Sequence, residues 1–452
     1  MDSGVDDERS WSEPETLNLG PDAGFVQLSA DSDGATLSWA ETGASAMKPS
    51  VAARSFTRSQ GWSSSSPIFQ GTLSDTRPFA MATAGPQRRF VLIWSNELMF
   101  AGSTPLEWAE SSSGMVLESH SADAGRTWSA PVSMGISTLN DQGPTCLSLA
   151  EDGSALVGTA RIVREAQRIG WVVEARQYAP NTNSWSDAKE IARATTAMGD
   201  TAEQQAAAEQ YPIGLGVALS NTGQRAYIWR GFQGGVQAAV ATDSAAAALT
   251  HLSAKPGTTA SSDSSVADPR IAWDGHGGAV AVWLDYNGTY WIVRTSRYNA
   301  AANSFMPALT LQTNVNGDAM QPELAIDAEG NALIAWTQSG GSSIAVWSAR
   351  CPTVGECSKP ARIDPVGGTS NASSLSLAAD AMGNAWAVWE DVGMVRASRY
   401  KVGQGWGLST QLSPGTQVSQ VPKVVVNSQG DAYVLWFEKT ATQPILHFRR
   451  FE

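Results

Sequence analysis

Four stretches in the second half of the chain share one pattern of apolar and polar positions, and each stretch ends at a tryptophan. A segment of alternating apolar residues is followed by an Asp-x-x-Gly turn and then by a second alternating segment. Such alternation is typical of β-strands that are buried between neighbouring sheets. Because the stretches recur about every fifty residues, they predict an architecture of small repeated units. The closing tryptophans are Trp283, Trp336, Trp389 and Trp436.

Two more strand-like segments complete each unit, so that every unit has four segments, named a to d in chain order. Segment c is typified by residues 290–298, and segment d often begins with an aromatic and a small polar residue, as at Trp62 and Trp406. The segments are rich in Val, Ile and Trp, which is a strand composition. Four antiparallel strands in a meander form one blade of a β-propeller.

The number of units can be counted from two segments independently, and both counts give eight. Segment b closes at Trp39, Trp94, Val157, Trp229 and the four tryptophans above, and segment d occurs near residues 11, 62, 128, 185, 249, 305, 359 and 406. The chain opens on a d segment at residues 10–14 and closes on a c segment at residues 445–450. The first strand would then complete the last blade and remove an exposed sheet edge.

The sequence therefore predicts an all-β fold, an eight-bladed β-propeller of four-stranded antiparallel blades that is closed by its N-terminal strand. Residues 1–452 are expected to form one domain, in which residues 1–20 supply the outermost strand of the last blade.

The repeated tryptophans and turn residues have both structural and functional interpretations. The tryptophans are interpreted as packing between blades rather than as platforms for sugars, because each follows a run of small apolar residues. The first residue of each turn is interpreted as a hairpin residue that accepts backbone N–H bonds, with Gly at positive φ three positions later. One carboxylate per turn lacks the set of oxygens that calcium requires. These turn residues are Asp274, Asp327, Asp380 and Asn427.

The charge of the chain limits its partners. With 43 acidic and 30 basic residues the net charge is −13, which repels phosphate backbones and anionic membrane surfaces, so nucleic acid is not an expected partner. No apolar run reaches the roughly eighteen residues that span a bilayer. The polar start is typical of a mature exported chain whose signal has been removed. We expect a periplasmic, cell-surface or secreted protein.

Three cysteines bear on the compartment. Cys351 and Cys357 lie close together between two predicted strands, whereas Cys146 lies inside an apolar segment. Either all three are buried or unreactive thiols, or Cys351 and Cys357 form a disulfide that stabilises the fold by about 2 kcal/mol. The second alternative implies an oxidising compartment, with Cys146 free and buried.

Residues 121–128 read SADAGRTW and match the pattern S-x-D-x-G-x-T-W. In this they resemble the Asp-box (BNR) repeat of sialidases and of many other exported propellers, and the D-x-x-G-N-A-x-x-x-W repeats are similar to those of bacterial exported propellers. At the level of the fold, the resemblance covers nearly the whole chain. It implies that the box is a structural turn between strands c and d, remote from any catalytic centre.

Sialidase-like chemistry would need an arginine triad, a Tyr nucleophile paired with a Glu, and an Asp acid/base. In that family the first arginine lies in an aromatic-Arg-Ile-Pro motif, whereas residues 75–78 here read DTRP, so Arg77 lacks the aromatic residue and the Ile. The other arginines and the Tyr–Glu pair match no motif of this sequence. Its four histidines are scattered without the spacing of a zinc site. No cofactor and no metal are predicted.

The long connections are predicted to lie on one face of the propeller, together with the b-to-c hairpins and the d-to-a crossings. Binding sites concentrate on loops held by a rigid scaffold, so this face is the expected binding surface. The connections are residues 95–114, 133–144, 192–212 and 255–269, and three of them cluster around blades 2 to 4.

Two of these connections carry candidate binding residues. Trp108, flanked by Glu107 and Glu110, suits a sugar or a basic peptide, or else it packs within the loop. A short helix is expected to begin at Asp200 or the next residue, which would cap it, and to reach Tyr211.

Four residues precede the Pro that begins a predicted a strand, so they are expected to ring the mouth of the central channel. Enzymes of this architecture hold their chemistry there, but in any propeller some polar residue must line the channel. The four residues are Arg77, Tyr211, Asp268 and Gln321.

The sequence thus leaves three functional hypotheses. The first is a non-catalytic exported propeller that binds a glycan or a protein partner through the long-loop face. The second is a sialidase-like glycan-processing hydrolase or lyase that uses carboxylates among those loops. The third is a structural part of an envelope assembly.

Overall fold

A computed structural model shows the predicted eight-bladed β-propeller, with eight antiparallel sheets around a closed ring. The inner strand of each sheet contacts the inner strand of the next, and the last contacts the first. The structure describes residues 9–20, 23–41, 50–70, 76–84, 87–95, 114–137, 146–165, 168–197, 213–230, 235–241, 248–253, 266–312, 317–364, 370–415, 417–440 and 444–452.

The strands of each blade follow one another in the chain, with strand a innermost. The first strand of the chain is β1 (Glu15–Leu17). Blade 1 contains β2 (Ala23–Asp31), β3 (Gly34–Glu41), β4 (Ser50–Thr57), β5 (Gly61–Trp62) and β6 (Ser66–Gln70). Blade 2 contains β7 (Thr76–Ala84), β8 (Arg88–Ser95), β9 (Gly114–Ser121) and β10 (Val132–Ser137). Blade 3 contains β11 (Leu147–Leu149), β12 (Ala155–Glu165), β13 (Arg168–Ala179), β14 (Ser184–Trp185) and β15 (Lys189–Ala197). Blade 4 contains β16 (Ile213–Leu219), β17 (Arg225–Arg230), β18 (Val236–Ala241) and β19 (Ala248–His251).

The second half of the ring is built in the same way. Blade 5 contains β20 (Val266–Trp273), β21 (Ala279–Tyr286), β22 (Trp291–Asn299), β23 (Ser304–Phe305) and β24 (Leu309–Thr310). Blade 6 contains β25 (Ala319–Ile326), β26 (Ala332–Gly340), β27 (Ser343–Cys351) and β28 (Ala361–Arg362). Blade 7 contains β29 (Ala372–Ala379), β30 (Ala385–Asp391), β31 (Met394–Lys401), β32 (Gly405–Trp406) and β33 (Thr410–Gln411). Blade 8 contains β34 (Ser419–Val426), β35 (Ala432–Glu438) and β36 (Ile445–Phe451).

The outermost strand is split into two pieces in blades 1, 3, 5 and 7, and both pieces pair with strand c. In blades 1, 5 and 7 each piece has at most five residues, so no long row of free backbone groups is left at the rim of these blades, whereas β15 of blade 3 has nine. Short edge strands of this kind protect a sheet from pairing with another molecule.

The N-terminal strand closes the ring, as predicted. β1 pairs antiparallel with β36, with Glu15 opposite Phe448, and a separate bridge joins Trp11 to Phe451. The Trp11 ring centroid lies 4.8 Å from that of Trp386 on blade 7. The first residues of the chain therefore fill the edge of blade 8 and also pack against its neighbour.

The repeated tryptophans form the core between blades, as predicted. Seven of them, at the ends of b strands, are at most 2% exposed: Trp39, Trp94, Trp229, Trp283, Trp336, Trp389 and Trp436. Trp283 of blade 5 packs against Ile228 and Val240 of blade 4, so each such indole joins two sheets. Burying an indole removes about 150–250 Å² from water, an upper limit of roughly 4–6 kcal/mol for each.

The Asp-x-x-Gly turns also have the predicted hairpin role. The Oδ1 atom of Asp274 accepts hydrogen bonds from the backbone N–H groups of His276 and Gly278, both at 2.8 Å. Its Oδ2 atom accepts a bond of 2.9 Å from Arg297, whose Nη2 also donates to the Gly330 carbonyl of blade 6 at 3.0 Å. The turn carboxylate therefore orients an arginine that joins adjacent blades.

The turn formed by residues 121–128 is held by its own side chains. Ser121 Oγ donates to Asp123 Oδ1 at 2.8 Å, and Thr127 Oγ1 donates to Asp123 Oδ2 at 2.6 Å. Partial burial would raise the pKa of Asp123, but these hydrogen bonds outweigh it and lower the pKa below its ordinary value. Ser55 of blade 1 donates to the Ala124 carbonyl at 2.8 Å, so the turn also fastens blade 2 to blade 1.

The cysteines follow the second of the two alternatives. Cys351 and Cys357 form a disulfide, and Cys146 is buried and takes no part in that disulfide. Burial raises the pKa of the Cys146 thiol to about 12, so the thiol is protonated and chemically inert at neutral pH. Within the described ranges, no helix has the length and apolar character needed to cross a bilayer.

Candidate functional site

Six of the eight inner strands carry a β-bulge at the same place, opposite the buried b-strand tryptophan. In each bulge two residues of strand a face one residue of strand b, which bends the strand and redirects the side chains that follow. The first residue of the pair has a left-handed backbone: Phe25, Gly214, Asp268, Gln321, Ser374 and Val421, with φ between 49° and 63°.

The bulges correct one detail of the sequence prediction. Proline does not begin the a strand: in blades 5, 6 and 8 the strand begins three residues earlier, and Pro269, Pro322 and Pro422 are the second residues of their bulges. A bulge leaves one residue out of the hydrogen-bond ladder, so the missing N–H of proline costs nothing there.

The bulges lie near the start of strand a and beside the end of strand b, which places them on the face of the b-to-c hairpins, here called the b–c face. Arg77 lies over the ring of Phe25, with its guanidinium carbon 4.5 Å from the ring centroid. Asp268 is exposed, and the Oε1 atom of Gln321 accepts a 3.4 Å bond from the Leu375 N–H. Three of the four predicted mouth residues are thus at the inner strands, and Tyr211 lies outside the described residues.

The charged residues that follow the bulges form the centre of the site, here called the channel cluster: Arg270, Glu323 and Lys423. Each is the first residue after a bulge, on β20, β25 and β34. Arg270 Nη2 lies 2.9 Å from Glu323 Oε1, and the two side chains keep 23% and 22% of their surface exposed. Arg270 Nε also donates to the Pro322 carbonyl at 3.0 Å.

Burial changes the ionisation of the channel cluster. It raises the pKa of Glu323 above its ordinary value, an effect that Arg270 and Lys423 oppose and the negative charge of Asp268 increases. Burial lowers the pKa of Lys423, against the attraction of Glu323, and the positive charge of Arg270 lowers it further. Perturbed groups that share one concave surface are typical of functional sites.

The channel cluster was not predicted from the sequence, although a signal for it is present there. In segments a of blades 5, 6 and 8 the residue directly after the proline is charged, within otherwise apolar runs: Pro269-Arg270, Pro322-Glu323 and Pro422-Lys423. A charge at a position that should face a neighbouring sheet is unexpected unless it faces water or a ligand.

The structure does not test the candidate loop residues. Glu107, Trp108, Glu110, Asp200 and Tyr211 all lie outside the described residues, and so does the helix expected between the last two.

Parts of the expected loops are strands. β10 extends through Ser137, β15 through Ala197, and β20 begins at Val266. β15 pairs with β13, which is strand c of blade 3, as far as Arg168, where β13 begins. β13 is long, and the backbone groups on its outer side need hydrogen-bond partners.

A cavity of about 220 Å³ lies where the chain passes from blade 8 to blade 1, lined by Leu17, Leu19 and Phe437 among others. Its described lining includes no charged residue and no member of the channel cluster. Among the residues that the structure describes, no group of three or more His, Cys, Asp or Glu side chains is arranged to hold a metal ion.

Comparison with known proteins yields similarity of fold. No family model matches the chain, and no curated protein matches it. Among solved structures, it is similar to the polysaccharide lyase Uly1, at 11% identity over 96% of this chain and 90% of that chain, with a TM-score of 0.47. It is similar to the Fusarium graminearum α-L-arabinofuranosidase Arb93A at 10% identity over 67% and 91% of the two chains, with a TM-score of 0.37. The Bacillus subtilis arabinanase Arb43A has 13% identity over 51% and 92%, with a TM-score of 0.28.

Proposed function

We propose that this chain, as one propeller domain over residues 1–452, is an exported binding protein that recognises a glycan or a protein partner through its b–c face without catalysis. The observation that carries the proposal is the channel cluster with its adjoining mouth residues. Three charged side chains occupy equivalent positions on β20, β25 and β34, where other blades place Gln27, Gly216 or Ser376.

The bulges support a binding role because they repeat around the channel. A left-handed backbone at a non-glycine residue costs on the order of 1–2 kcal/mol, and five blades maintain one. Bulges at the rim of a closed sheet aim side chains at a ligand. Polar groups converging on the mouth of a rigid ring are a usual form of binding site.

Export is supported by the Cys351–Cys357 disulfide, since disulfides persist in oxidising compartments such as a periplasm or the cell exterior. The turn at residues 121–128 supports a relation to the Asp-box propellers, because the Ser, Asp and Thr side chains of the matching pattern hydrogen-bond to one another.

A second candidate function, glycan hydrolysis or lysis, is favoured by one observation. Asp268 and Glu323 place two carboxyl groups near each other at the channel, and burial raises the pKa of Glu323. A pair of neighbouring carboxyl groups, one of them with a raised pKa, is an arrangement that many glycosidases use.

One set of measurements tests both functions. The full chain is applied to a glycan array, to a periplasmic extract for pull-down, and to a panel of chromogenic glycosides and polysaccharides. Binding that is changed severalfold by Asp268→Asn and Glu323→Gln, without turnover, is the expected result. The control is Glu329→Gln, an exposed acid in the a-to-b turn of blade 6 on the opposite face.

Turnover that disappears in Glu323→Gln would replace the binding proposal with the enzymatic one. If the array, the extract and the substrates all give no signal with the full chain, both are wrong. The loop candidates are tested in the same way with Trp108→Ala and Glu107→Gln.

A further inference from the structure

Lys423 differs from the other two members of the channel cluster because its ammonium group makes no hydrogen bond to any residue that the structure describes. Arg270 and Glu323 are paired with each other, whereas among the residues that the structure describes no carboxylate lies within ion-pair distance of Lys423. Glu323 and Arg270 act on Lys423 only through their charge. The Lys423 side chain is nevertheless half-buried, between the buried residues Pro422 and Val424.

The charges of the three residues in the channel cluster do not cancel. Arg270 neutralises Glu323, so the interior of the channel cluster keeps one positive charge. Asp268 is exposed at the mouth, where water screens its charge. A cleft whose wall carries one sign of charge concentrates ligands of the opposite sign, even though the whole chain has a net charge of −13.

Burial disfavours the charged form of Lys423, so its ammonium group costs stability at this position unless an anion pairs with it. The fold does not require one at this position, because blade 7 places Ser376 at the equivalent point and blade 1 places Gln27 there. Ser376 accepts a bond from the Val424 N–H at 3.2 Å, which shows that a small polar residue suffices to join neighbouring inner strands. The lysine is therefore explained by a ligand more readily than by packing.

We propose that Lys423 binds an oxyanion, a carboxylate or a sulfate, carried by the glycan that enters the channel from the b–c face. This rests on the proposed function, that the b–c face binds a glycan, and it specifies the class of glycan as acidic. Arg270 holds Glu323 away from the ammonium group, so that the ligand supplies the acceptor for the three N–H donors of Lys423. A charge-assisted hydrogen bond of this kind is among the strongest polar contacts that a protein makes.

The test is calorimetric titration of the full chain with four oligosaccharides of equal length: an oligouronate, its methyl ester, a sulfated oligosaccharide and a neutral one. The variants are Lys423→Met, which removes the charge and keeps a similar length, and Lys423→Arg, which keeps the charge. Lys359→Met is the matched control, because it removes an exposed lysine in the c-to-d connection of blade 6, on the face opposite the b–c face. Circular dichroism and thermal unfolding establish that each variant is folded.

The proposal expects the wild type to bind the oligouronate or the sulfated oligosaccharide about ten- to a hundredfold more tightly than its uncharged counterpart. Lys423→Met is expected to abolish that preference, Lys423→Arg to retain part of it, and Lys359→Met to leave it within about twofold. Whichever anionic ligand binds identifies the source of the oxyanion.

If the methyl ester and the neutral oligosaccharide bind as tightly as the acids, or if Lys423→Met keeps the preference, the oxyanion proposal is wrong while glycan binding stands. If none of the four binds to the wild type, the oxyanion proposal is also wrong. The glycan array and pull-down then decide separately whether the b–c face binds another partner.

Discussion

Arg270 on blade 5 places its Nη2 atom 2.9 Å from the Oε1 atom of Glu323 on blade 6, so one ion pair joins two neighbouring inner strands at the channel. The two residues are 53 positions apart, one repeat of the propeller. The pair therefore exists because equivalent positions of adjacent blades meet at the axis of the ring.

A double-mutant cycle with Arg270→Met and Glu323→Gln is expected to give a coupling free energy of about 1–2 kcal/mol, since each side chain is largely buried and loses its partner when the other changes. Chemical denaturation of the four proteins measures it. The Glu190–Arg193 pair on β15 is the control, because its side chains are 44% and 33% exposed and such pairs couple by less than about 1 kcal/mol. Equal coupling in the two cycles would show that the channel does not strengthen the ion pair.

Lys423→Met is expected to raise stability at neutral pH by about 1 kcal/mol, because a desolvated charge is replaced by an apolar side chain of similar length. The folded pKa of Lys423 lies below its unfolded value, so the ammonium destabilises the fold at every pH below the folded pKa. This penalty disappears as pH rises from the folded pKa to the unfolded value of about 10.4.

The advantage of Lys423→Met over the wild type should therefore shrink as pH rises toward about 10.4. Unfolding measured across neutral to alkaline pH checks this. The prediction is wrong if Lys423→Met is less stable than the wild type at neutral pH, or if the difference grows with pH.

Val421→Asn is expected to stabilise the propeller by about 1 kcal/mol. Val421 is 50% exposed and has a φ of 52°, a left-handed conformation that a β-branched residue adopts at a cost and that Asn tolerates. Val418→Asn is the control, since Val418 is similarly exposed at 45% and is not among the left-handed residues. Thermal unfolding should separate the two variants, and equal effects would mean that the bulge is not strained.

Asp123→Ala is expected to destabilise the fold by about 1–2 kcal/mol, because the N–H and hydroxyl of Thr127 both lose their acceptor. The lowered pKa of Asp123 adds a pH dependence. The Asp123 carboxylate contributes fully to the free energy of unfolding above about pH 3.9, the pKa of an aspartate in the unfolded chain. This contribution is lost as the pH falls through the lower pKa that Asp123 has in the folded chain.

The difference between wild type and Asp123→Ala should therefore narrow in acid, as measured by unfolding from neutral pH downward. Asp187→Ala, at an exposed position in the break of an outer strand, is expected to change stability by less than about 0.5 kcal/mol at any pH. If the difference in free energy of unfolding between the wild type and Asp123→Ala stays constant through the acid range, the Asp123 carboxylate does not hold the turn as an anion.

The blades, their number and the closure of the ring were predictable from the chain alone. Each depends on a signal that repeats at fixed spacing, such as Trp283 and Trp336 at the ends of b strands. Apolar residues also alternate along each strand, because successive side chains of a strand point to opposite faces of its sheet. The role of Asp274 and its equivalents was predictable for the same reason, since a tight hairpin needs an acceptor for its own N–H groups. The Cys351–Cys357 bridge remained one of two alternatives until the two side chains were seen to meet.

The channel cluster was decided by the tertiary structure. Arg270, Glu323 and Lys423 lie in three blades, and a sequence does not state which of its separated charges converge on one axis. The bulges at Asp268 and Gln321, opposite Trp283 and Trp336, are changes of register between two strands, and in the sequence only the proline that follows each of them marks them. The local periodicity of the sequence determined the four strands of each blade, because these strands follow one another in the chain and pair with each other. The closure of eight blades into a ring decided which charged residues meet, because those contacts are made between different repeats.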